Sequence, residues 1–298
     1  MSSVSPQLAG KTVVVTGATQ GIGLVAAQAM AGMGARVILT ARDAARGQRA
    51  REAVLQQAGH GTVDVVDVDF ASMASIRAGA AAVRGLTDRV DILLNNAGAV
   101  FMERGTSTDG LELTLATNHI GYFLWTHELL DLVKAAASTS SARIVSVSSA
   151  AHVAATGGVN FDDLQRTRGY SGFPVYAESK LMNILFTREL ARRLAGTGVT
   201  ANCLHPGVIA SGFGTNNKGI LGFATRHLSP FFLTSPEKGA RTSIHLCTSP
   251  EVASVSGGYF ANCKVAKPSR AASDDVAAAR LWTVTEQLCG IDAARAAA

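Results

Sequence analysis

The sequence is poor in cysteine and has no long apolar run, and each scarcity argues against a class of protein. Its 298 residues hold four cysteines that lie far apart with no CxxC pair, so we expect reduced thiols and neither a disulfide scaffold nor a zinc site. No apolar run approaches the ~20 residues of a membrane span, and residues 1–10 lack the basic-then-apolar pattern of a signal peptide. The sequence therefore predicts a cytoplasmic protein with no integral membrane segment.

Strong charge is also missing. The formal net charge is +5, and the sequence has no lysine-rich tract and no basic stripe interleaved with aromatic residues. Nucleic acid is therefore not expected as a partner. Hydrophobic residues, by contrast, make up 47% of the chain, which is enough for a large core, and no linker divides residues 1–298. One domain is predicted.

Segments with the pattern of buried strands alternate with helices along most of the chain. We expect helices over 21–34, 43–57 and 72–84, and strands over 11–17, 35–41, 62–69, 90–96, 142–149, 199–206 and 257–262. Such alternation builds βαβ units with right-handed crossovers. The sequence thus predicts an α/β fold, a doubly wound parallel sheet of seven strands with helices on both faces. Ligands of such sheets bind beyond the carboxyl ends of the strands.

The stretch "TGATQGIG" (16–23) follows the first predicted strand and opens a helix. Its first glycine allows a tight turn, and the later two let the backbone approach a pyrophosphate at the helix N-terminus. The bare spacing would also fit an ordinary turn, but its place between strand and helix favours dinucleotide binding. The predicted contacts in this loop are Gly17, Thr19, Gln20, Gly21, Ile22 and Gly23.

The second predicted strand ends in "LTAR". Ala41 stands where an NAD enzyme usually offers a carboxylate to the ribose hydroxyls, and Arg42 follows it. Because a guanidinium grips phosphate through two hydrogen bonds, NADP(H) is favoured over NAD(H), although Asp43 is a neighbouring acid that weakens this interpretation. Three further arginines are interpreted as a solvated helix face: Arg46, Arg49 and Arg51.

Two more strand ends fit the same ligand. Asp69, followed by Phe70, could accept a hydrogen bond from the adenine amine, with a helix cap as an equally ordinary role. In "NNAG", the residues Asn96, Ala97 and Gly98 would bring backbone close to the adenine ribose. A plain turn is the alternative for this stretch.

Tyr176 and Lys180 lie one helical turn apart in "PVYAESKLMNILF" (174–186). In isolation, a packed tyrosine and a lysine that extends to solvent would explain the pair. The alternative is that the ammonium lowers the pKa of a phenol that must exchange a proton near neutral pH. The remaining motifs of the chain decide between the two.

Six motifs occur in the order and approximate spacing of the short-chain dehydrogenase/reductases: "TGATQGIG", "NNAG", "TNHIG", "VSS", "YAESK" and "HPG". The chain resembles this superfamily over about residues 10–265. Within it, "RIVSVSSAAH", "ESKLMNILFTRELARRL" and "GGYFANCKVAKPS" are similar to the retinol-dehydrogenase-like branch. The resemblance implies a Rossmann-type fold and hydride transfer with apolar alcohols, aldehydes and ketones, linked to NADP(H) in many members.

The resemblance also implies a catalytic tetrad. Tyr176 corresponds to the acid/base, Lys180 to its partner, Ser149 to the residue that binds the substrate oxygen, and Asn118 to the asparagine that holds a relay water. Ser148 is interpreted as a strand-end hydroxyl bonded to backbone. The lysine and a positive nicotinamide ring would both stabilise the phenolate, which shifts a pKa that is ordinarily about 10.

The "HPG" motif implies a contact with the nicotinamide carboxamide. The predicted residues are Pro206, Gly207, Val208 and Ser211, where the last replaces the threonine that is common in the family. Gln20 is a second departure, because some NADP-dependent relatives have a basic residue there. The apolar residues of 208–236 predict a lid over the substrate, and a helix pair packed on its own domain or on a second subunit is the alternative.

The main hypothesis is an NADP(H)-dependent carbonyl reductase or alcohol dehydrogenase for an apolar substrate. Reduction of a polar or polyketide ketone is a rival within enzymes, and a catalytically silent NADP(H)-sensing protein is the rival from another class. The resemblance is compatible with a homodimer or homotetramer. No metal is expected at the site.

Overall fold

A computed structural model describes residues 7–59, 61–207 and 235–291. Their strands form one sheet, and the strands are β1 (Thr12–Val15), β2 (Arg36–Ala41), β3 (Val63–Asp67), β4 (Ile92–Asn95), β5 (Ala142–Val147), β6 (Val199–Leu204), β7 (Tyr259–Ala261) and β8 (Lys264–Val265). The order across the sheet is β3-β2-β1-β4-β5-β6-β7-β8, and every pair is parallel except the last. The predicted doubly wound parallel fold is confirmed.

The helices lie on both faces of this sheet. They are α1 (Gly21–Gly32), α2 (Ala44–Ala58), α3 (Met73–Leu86), α4 (Leu113–Leu115), α5 (Gly121–Ala137), α6 (Gly172–Arg193), α7 (Pro236–Thr248) and α8 (Asp275–Leu288), with a π-helical turn at Ala116–Ile120 between α4 and α5. Side chains of β1 alternate between two cores, with Val14 packed towards α3, α5, α6 and α8 and Val13 towards α1, α2 and α7. This alternation follows from the two-residue period of a strand.

The predicted strand count of seven is wrong by one. Strand β8 pairs antiparallel with β7, with Val265 opposite Phe260. Asn262 and Cys263 form the tight turn between them, with φ angles of 50° and 61°. Hairpin turns of this kind usually show Asn-Gly or Asp-Gly in the sequence, and cysteine is an unusual residue for a positive φ. The turn therefore had no recognisable sequence signal.

The C-terminal helix α8 covers the faces of α5 and α6 that point away from the sheet. The ring of Trp282 lies 4.7 Å from that of Phe123 on α5 and 5.9 Å from that of Phe186 on α6, centroid to centroid. Nε2 of His119, in the π-helical turn, lies 2.9 Å from the hydroxyl of Thr285 on α8. Helix α8 therefore packs against α5 and α6.

Two kinds of feature are missing from the described ranges. None of the helices there is both long and apolar enough to cross a membrane. In the same ranges, His, Cys, Asp and Glu side chains do not come together in threes that could hold a metal ion.

Candidate active site

One cavity of about 630 Å³ lies beyond the carboxyl ends of the parallel strands. It brings together predicted residues from seven separate segments of the chain. Those that line it are Gly17, Thr19, Gln20, Gly21, Ile22, Gly23, Arg42, Asp69, Phe70, Asn96, Ala97, Gly98, Ser149, Tyr176, Lys180, Pro206 and Gly207. Parallel strands end at the same edge of a sheet, which explains why motifs distant in sequence meet here.

Three predicted features are not among these lining residues. Val208 and Ser211 fall outside the described residues, as does the predicted lid except for its last two positions. Of those two, Ser235 caps the N-terminus of α7 and Pro236 is the first residue of that helix. Asn118 lies beside the cavity, behind Gly98: a Cβ placed on Gly98 would come 3.3 Å from the Asn118 Oδ1 and 3.3 Å from the Lys180 Nζ.

The backbone of the glycine loop lies so close to the "NNAG" segment that two of its positions have no space for a side chain. Gly17 has a φ of +63°, and a Cβ there would lie 2.7 Å from the Cα of Ala97. A Cβ on Gly23 would lie 2.5 Å from the Nδ2 of Asn96. Within the described ranges, Gln20 makes no capping hydrogen bond through its side chain at the start of α1. The N–H groups of the first turn therefore face the cavity as donors for an anion.

The "NNAG" segment is tied to the glycine loop by side chains. Asn96 donates from Nδ2 to the carbonyl oxygens of Thr16 (2.9 Å) and Gly17 (3.1 Å). In return, the Thr16 hydroxyl accepts from the backbone N–H groups of Asn96 (2.8 Å) and Ala97 (3.0 Å). Asn95 points the other way, towards the Thr126 hydroxyl at 2.9 Å in the core. The two asparagines thus have different roles, and the second one joins two walls of the cavity.

The opposite end of the cavity contains two arginines. Arg42 and Arg46 are exposed and both line it, so Arg46 lies on an exposed helix face, as predicted, and also faces the cavity. Asp43 Oδ1 accepts the backbone N–H of Arg46 at 2.7 Å and caps α2. The Asp43 carboxylate thus serves as the N-terminal cap of α2. Arg51 is half-buried, and its Nε donates to the Val63 carbonyl at 2.9 Å.

Asp69 lines the cavity and also shapes its own turn. Its Oδ1 accepts the backbone N–H of Ala71 at 3.0 Å, and its backbone N–H donates to the Ser75 hydroxyl at 2.9 Å. The cap of α3 is Ser72, whose hydroxyl accepts the N–H of Ser75. The alternative role of Asp69 as the cap of this helix is therefore wrong.

The predicted reacting groups meet at the end of the cavity near β5 and α6. Tyr176 is 9% exposed and Lys180 is 3% exposed. The Nζ of Lys180 lies 5.7 Å from the ring centroid of Tyr176 and donates to the Val147 carbonyl at 3.2 Å. Ser149 hydrogen-bonds the Tyr176 side chain, while the Ser148 hydroxyl donates to the Lys180 carbonyl at 2.7 Å. The two serines differ in position as the sequence predicted.

The pKa of Tyr176 shifts in the direction opposite to that expected from a neighbouring lysine. Burial raises the pKa of Tyr176 to about 12, and its hydrogen bond with Ser149 opposes this shift. Burial also lowers the pKa of Lys180 to about 7. Desolvation penalises the charged form of each group. In the protein alone, the neutral phenol is therefore the stable form, and the lysine exchanges its proton near neutral pH.

Asn118 lies in the π-helical turn Ala116–Ile120 and is fully buried. Its Nδ2 donates to the Ala99 carbonyl at 2.8 Å and to the Ser179 hydroxyl at 3.0 Å, and its Oδ1 accepts the Ala99 N–H at 2.9 Å. The side chain thus joins the loop after β4 to helix α6. π-Helical turns depart from regular helix hydrogen bonding and are frequent at functional sites.

Sequence analysis missed the apolar rim of the cavity. Phe101 lines the cavity, and the neighbouring side chains of Met102 and Phe173 are 38% and 53% exposed. The hydroxyl of Tyr170 donates to the Phe101 carbonyl at 2.8 Å. The run "AVFM" directly after "NNAG" was the available signal, since side chains that follow a strand end face the ligand edge.

Comparison with known proteins decides the family. The family model for short chain dehydrogenases matches residues 11–219. The chain is 42% identical to retinol dehydrogenase 13 of Homo sapiens over 290 residues, covering 95% of this chain and 86% of the human protein. It is 41% identical to retinol dehydrogenase 12 of Mus musculus over 285 residues, covering 96% and 88% of the two chains. The chain belongs to the short-chain dehydrogenase family.

Solved structures agree with this membership. An uncharacterised protein from Mycobacterium paratuberculosis has a TM-score of 0.75 and 32% identity, covering 96% of this chain and 95% of that one. The RhlG/NADP complex of Pseudomonas aeruginosa has a TM-score of 0.67 and 26% identity, covering 86% and 96%. Membership of the short-chain dehydrogenases implies a nicotinamide cofactor, NAD or NADP. The glycine loop and the free N–H groups at the start of α1 fit the pyrophosphate of such a cofactor. The predicted similarity to retinol dehydrogenases is confirmed.

Replacing Gly23 by alanine tests whether the glycine loop binds the cofactor. In Gly23→Ala, the new Cβ would meet the Asn96 Nδ2 at 2.5 Å and the Gly17 carbonyl oxygen at 2.6 Å, so the loop must move away from the N-terminus of α1. We expect the Kd of the cofactor that the parent binds more tightly, NADPH or NADH, to rise at least ~10-fold, which is about 1.4 kcal/mol. Isothermal titration calorimetry with both cofactors measures this change.

Gly32→Ala is the matched control in the same helix. A Cβ on Gly32 meets nothing within 4 Å, so cofactor affinity should stay at the parent value while helix propensity adds roughly 0.5–1 kcal/mol of stability. Equal cofactor affinity in both variants would contradict the assignment of the glycine loop as the cofactor-binding segment.

Proposed function

We propose that this protein is an NADP(H)-dependent carbonyl reductase that also runs the reverse alcohol oxidation, with an apolar substrate. The observation that carries the proposal is the meeting of Ser149, Tyr176 and Lys180 at one end of a cavity whose other end presents Arg42 and Arg46. Membership of the short-chain dehydrogenases supports hydride transfer as the reaction class.

The chain's own residues handle the proton and the substrate oxygen. A bound nicotinamide supplies or accepts the hydride. The hydroxyl of Ser149 and the phenol of Tyr176, which hydrogen-bond each other, form a pair of donors for one carbonyl oxygen. Tyr176 then gives its proton to that oxygen as it becomes an alcohol. Lys180 has a pKa of about 7, so it can release and regain a proton near neutral pH and restore the phenol.

The buried position of Tyr176 favours reduction. A reductase needs a protonated acid before the reaction, whereas an alcohol dehydrogenase needs a base. Burial raises the pKa of Tyr176 to about 12, so the phenol is protonated throughout the physiological pH range. The acid required for reduction is therefore present without any further change.

The preference for NADP(H) rests on charge at the end of β2. Ala41 offers no carboxylate to repel a 2′-phosphate, and the Asp43 carboxylate is engaged with the Arg46 backbone N–H. Arg42 and Arg46 both face the cavity, and two guanidinium groups suit a phosphate dianion. RhlG, a structural relative at 26% identity, was solved with NADP, which supports the same choice.

The apolar substrate class is supported by two observations. Relatives at about 40% identity are retinol dehydrogenases. Phe101 lines the cavity, and the exposed side chains of Met102 and Phe173 belong to the two segments that meet beside it. Exposed apolar side chains beside a concave site commonly contact ligand. We therefore expect retinal, aryl ketones, steroid ketones or quinones to be reduced faster than short polar ketones.

An NADPH-consumption screen with retinal, steroid, quinone, aryl-ketone and aliphatic-aldehyde substrates tests the proposal. Tyr176→Phe keeps the ring and removes the acidic proton. Its kcat on the best substrate should fall by at least ~10²-fold, since general acid catalysis contributes roughly 10²–10⁴ in rate. NADPH affinity should remain within a few-fold of the parent. Near-normal turnover in this variant would exclude Tyr176 as the acid, and NADPH binding with no turnover on the whole panel would favour a nucleotide-sensing protein.

Cofactor preference is tested by Ala41→Asp combined with Arg42→Ala. The double change removes one charge-assisted contact and adds one repulsion, each worth about 1.5–3 kcal/mol. The ratio of kcat/KM for NADPH over NADH should therefore fall at least ~100-fold, and NADH use should improve because the new carboxylate can bind the ribose hydroxyls.

Arg49→Ala is the control for this experiment. Arg49 is an exposed arginine of α2, and its replacement should leave the ratio unchanged. A parent that already prefers NADH, or a double variant whose ratio stays within about threefold of the parent, would show that charge at the end of β2 does not set the preference.

A further inference from the structure

His152 is a buried side chain three positions beyond Ser149, and the proposed reaction does not use it. It is 1% exposed and lies in the 3₁₀ turn Ala150–Ala154. Its Nδ1 lies 2.7 Å from the Ser149 carbonyl oxygen, and its backbone N–H donates to the same oxygen at 3.2 Å. The Ser149 hydroxyl also accepts the Ala151 N–H at 3.1 Å. The carbonyl of Ser149 thus accepts two hydrogen bonds from one histidine.

The partners of the ring allow one protonation state. A carbonyl oxygen can only accept, so Nδ1 must carry the hydrogen on the bond to Ser149. The other ring nitrogen, Nε2, lies 3.1 Å from the backbone N–H of Ser269. That group can only donate, so Nε2 must be unprotonated. The ring is therefore the neutral Nδ1–H tautomer, because an imidazolium would place two donors against each other at Ser269.

The surroundings support the neutral ring. Burial lowers the pKa of His152, and the hydrogen bond to the Ser149 carbonyl opposes this shift. The titratable neighbours are Tyr259, whose ring centroid lies 5.1 Å away in an edge-on arrangement, and His205, which stacks on Tyr259 at 6.4 Å. Burial also lowers the pKa of His205, and His152 lowers it further. Near pH 7, the whole cluster is uncharged.

We propose that His152 is a positioning residue for Ser149, an inference that rests on the proposed function. The bond from Nδ1–H to the Ser149 carbonyl fixes the main chain from which the Ser149 hydroxyl extends. The bond at Nε2 to Ser269, which is 117 positions away in sequence, orients the ring. That hydroxyl is one rotatable bond from the main chain. Its direction towards Tyr176 therefore follows the peptide that His152 holds.

Two amide variants separate the two bonds of the ring. In His152→Asn, the side-chain NH₂ can take the place of Nδ1–H and donate to Ser149, but it is too short to reach Ser269. In His152→Gln, the longer amide can offer an acceptor to Ser269 in place of Nε2. We expect kcat of the asparagine variant to stay within about threefold of the parent and that of the glutamine variant to fall at least ~10-fold, with KM for NADPH unchanged in both.

Equal losses in the asparagine and glutamine variants, or a loss confined to thermal stability, would show a merely structural residue and overturn the proposal. The tautomer has an independent test by ¹⁵N NMR at pH 7. A protonated Nε2 on His152 would also overturn the proposal.

The closing experiment is a double-mutant cycle between His152→Leu and Ser149→Ala, with the best carbonyl substrate. If His152 acts through the Ser149 hydroxyl, His152→Leu should lower kcat at least ~10-fold in the parent and less than about twofold in the Ser149→Ala background. Additive losses in a folded, active protein would overturn this inference alone. If His152→Leu does not fold, the asparagine and glutamine pair still decides. An inactive parent would overturn the proposed function, and this inference with it.

Discussion

The burial of an ammonium beside a phenol is the constraint on which the candidate site depends. Lys180 and Tyr176 are 3% and 9% exposed, and desolvation drives both towards their neutral forms, with pKa values of about 7 and about 12. A lysine in such a place must have acceptors or ring faces near it. The Val147 carbonyl lies 3.2 Å from its Nζ, and the ring centroids of Tyr122 and Tyr176 lie 5.6 Å and 5.7 Å away. The end of β5, helix α5 and helix α6 must therefore keep their mutual positions.

Hydrogen bonds between the loops that follow the strands help to hold these positions. Asn96 joins the loop after β4 to the glycine loop after β1. Asn118 joins the loop after β4 to Ser179 on α6. His152 joins the turn after β5 to Ser269. Each link is made by a buried or half-buried polar side chain whose partners are satisfied, which is the condition under which such networks rigidify a site.

Sequence reasoning identified segments that line the candidate site because their residues form local motifs, as with Gly17–Gly23 directly after β1 and Tyr176–Lys180 within α6. It failed where the deciding contact is distant in sequence or depends on solvent exclusion. The turn at Asn262 and Cys263 lacked the usual glycine, and the contact of Nε2 on His152 lies with Ser269. The direction of the Tyr176 pKa shift could not be predicted from its spacing to Lys180, because its largest cause is burial, which depends on the whole fold.

The most direct test of this account is the titration of Tyr176 in the cofactor-free protein. Tyrosine labelled with ¹³C at the ζ carbon reports phenol ionisation by NMR, and the chain has four tyrosines, so Tyr176→Phe assigns the signal. The account predicts a phenol that is still mainly protonated at about pH 11, in line with a pKa of about 12. A Tyr176 phenol that is half ionised at or below about pH 10, the ordinary value, would mean that the charge on Lys180 outweighs burial and would contradict the account.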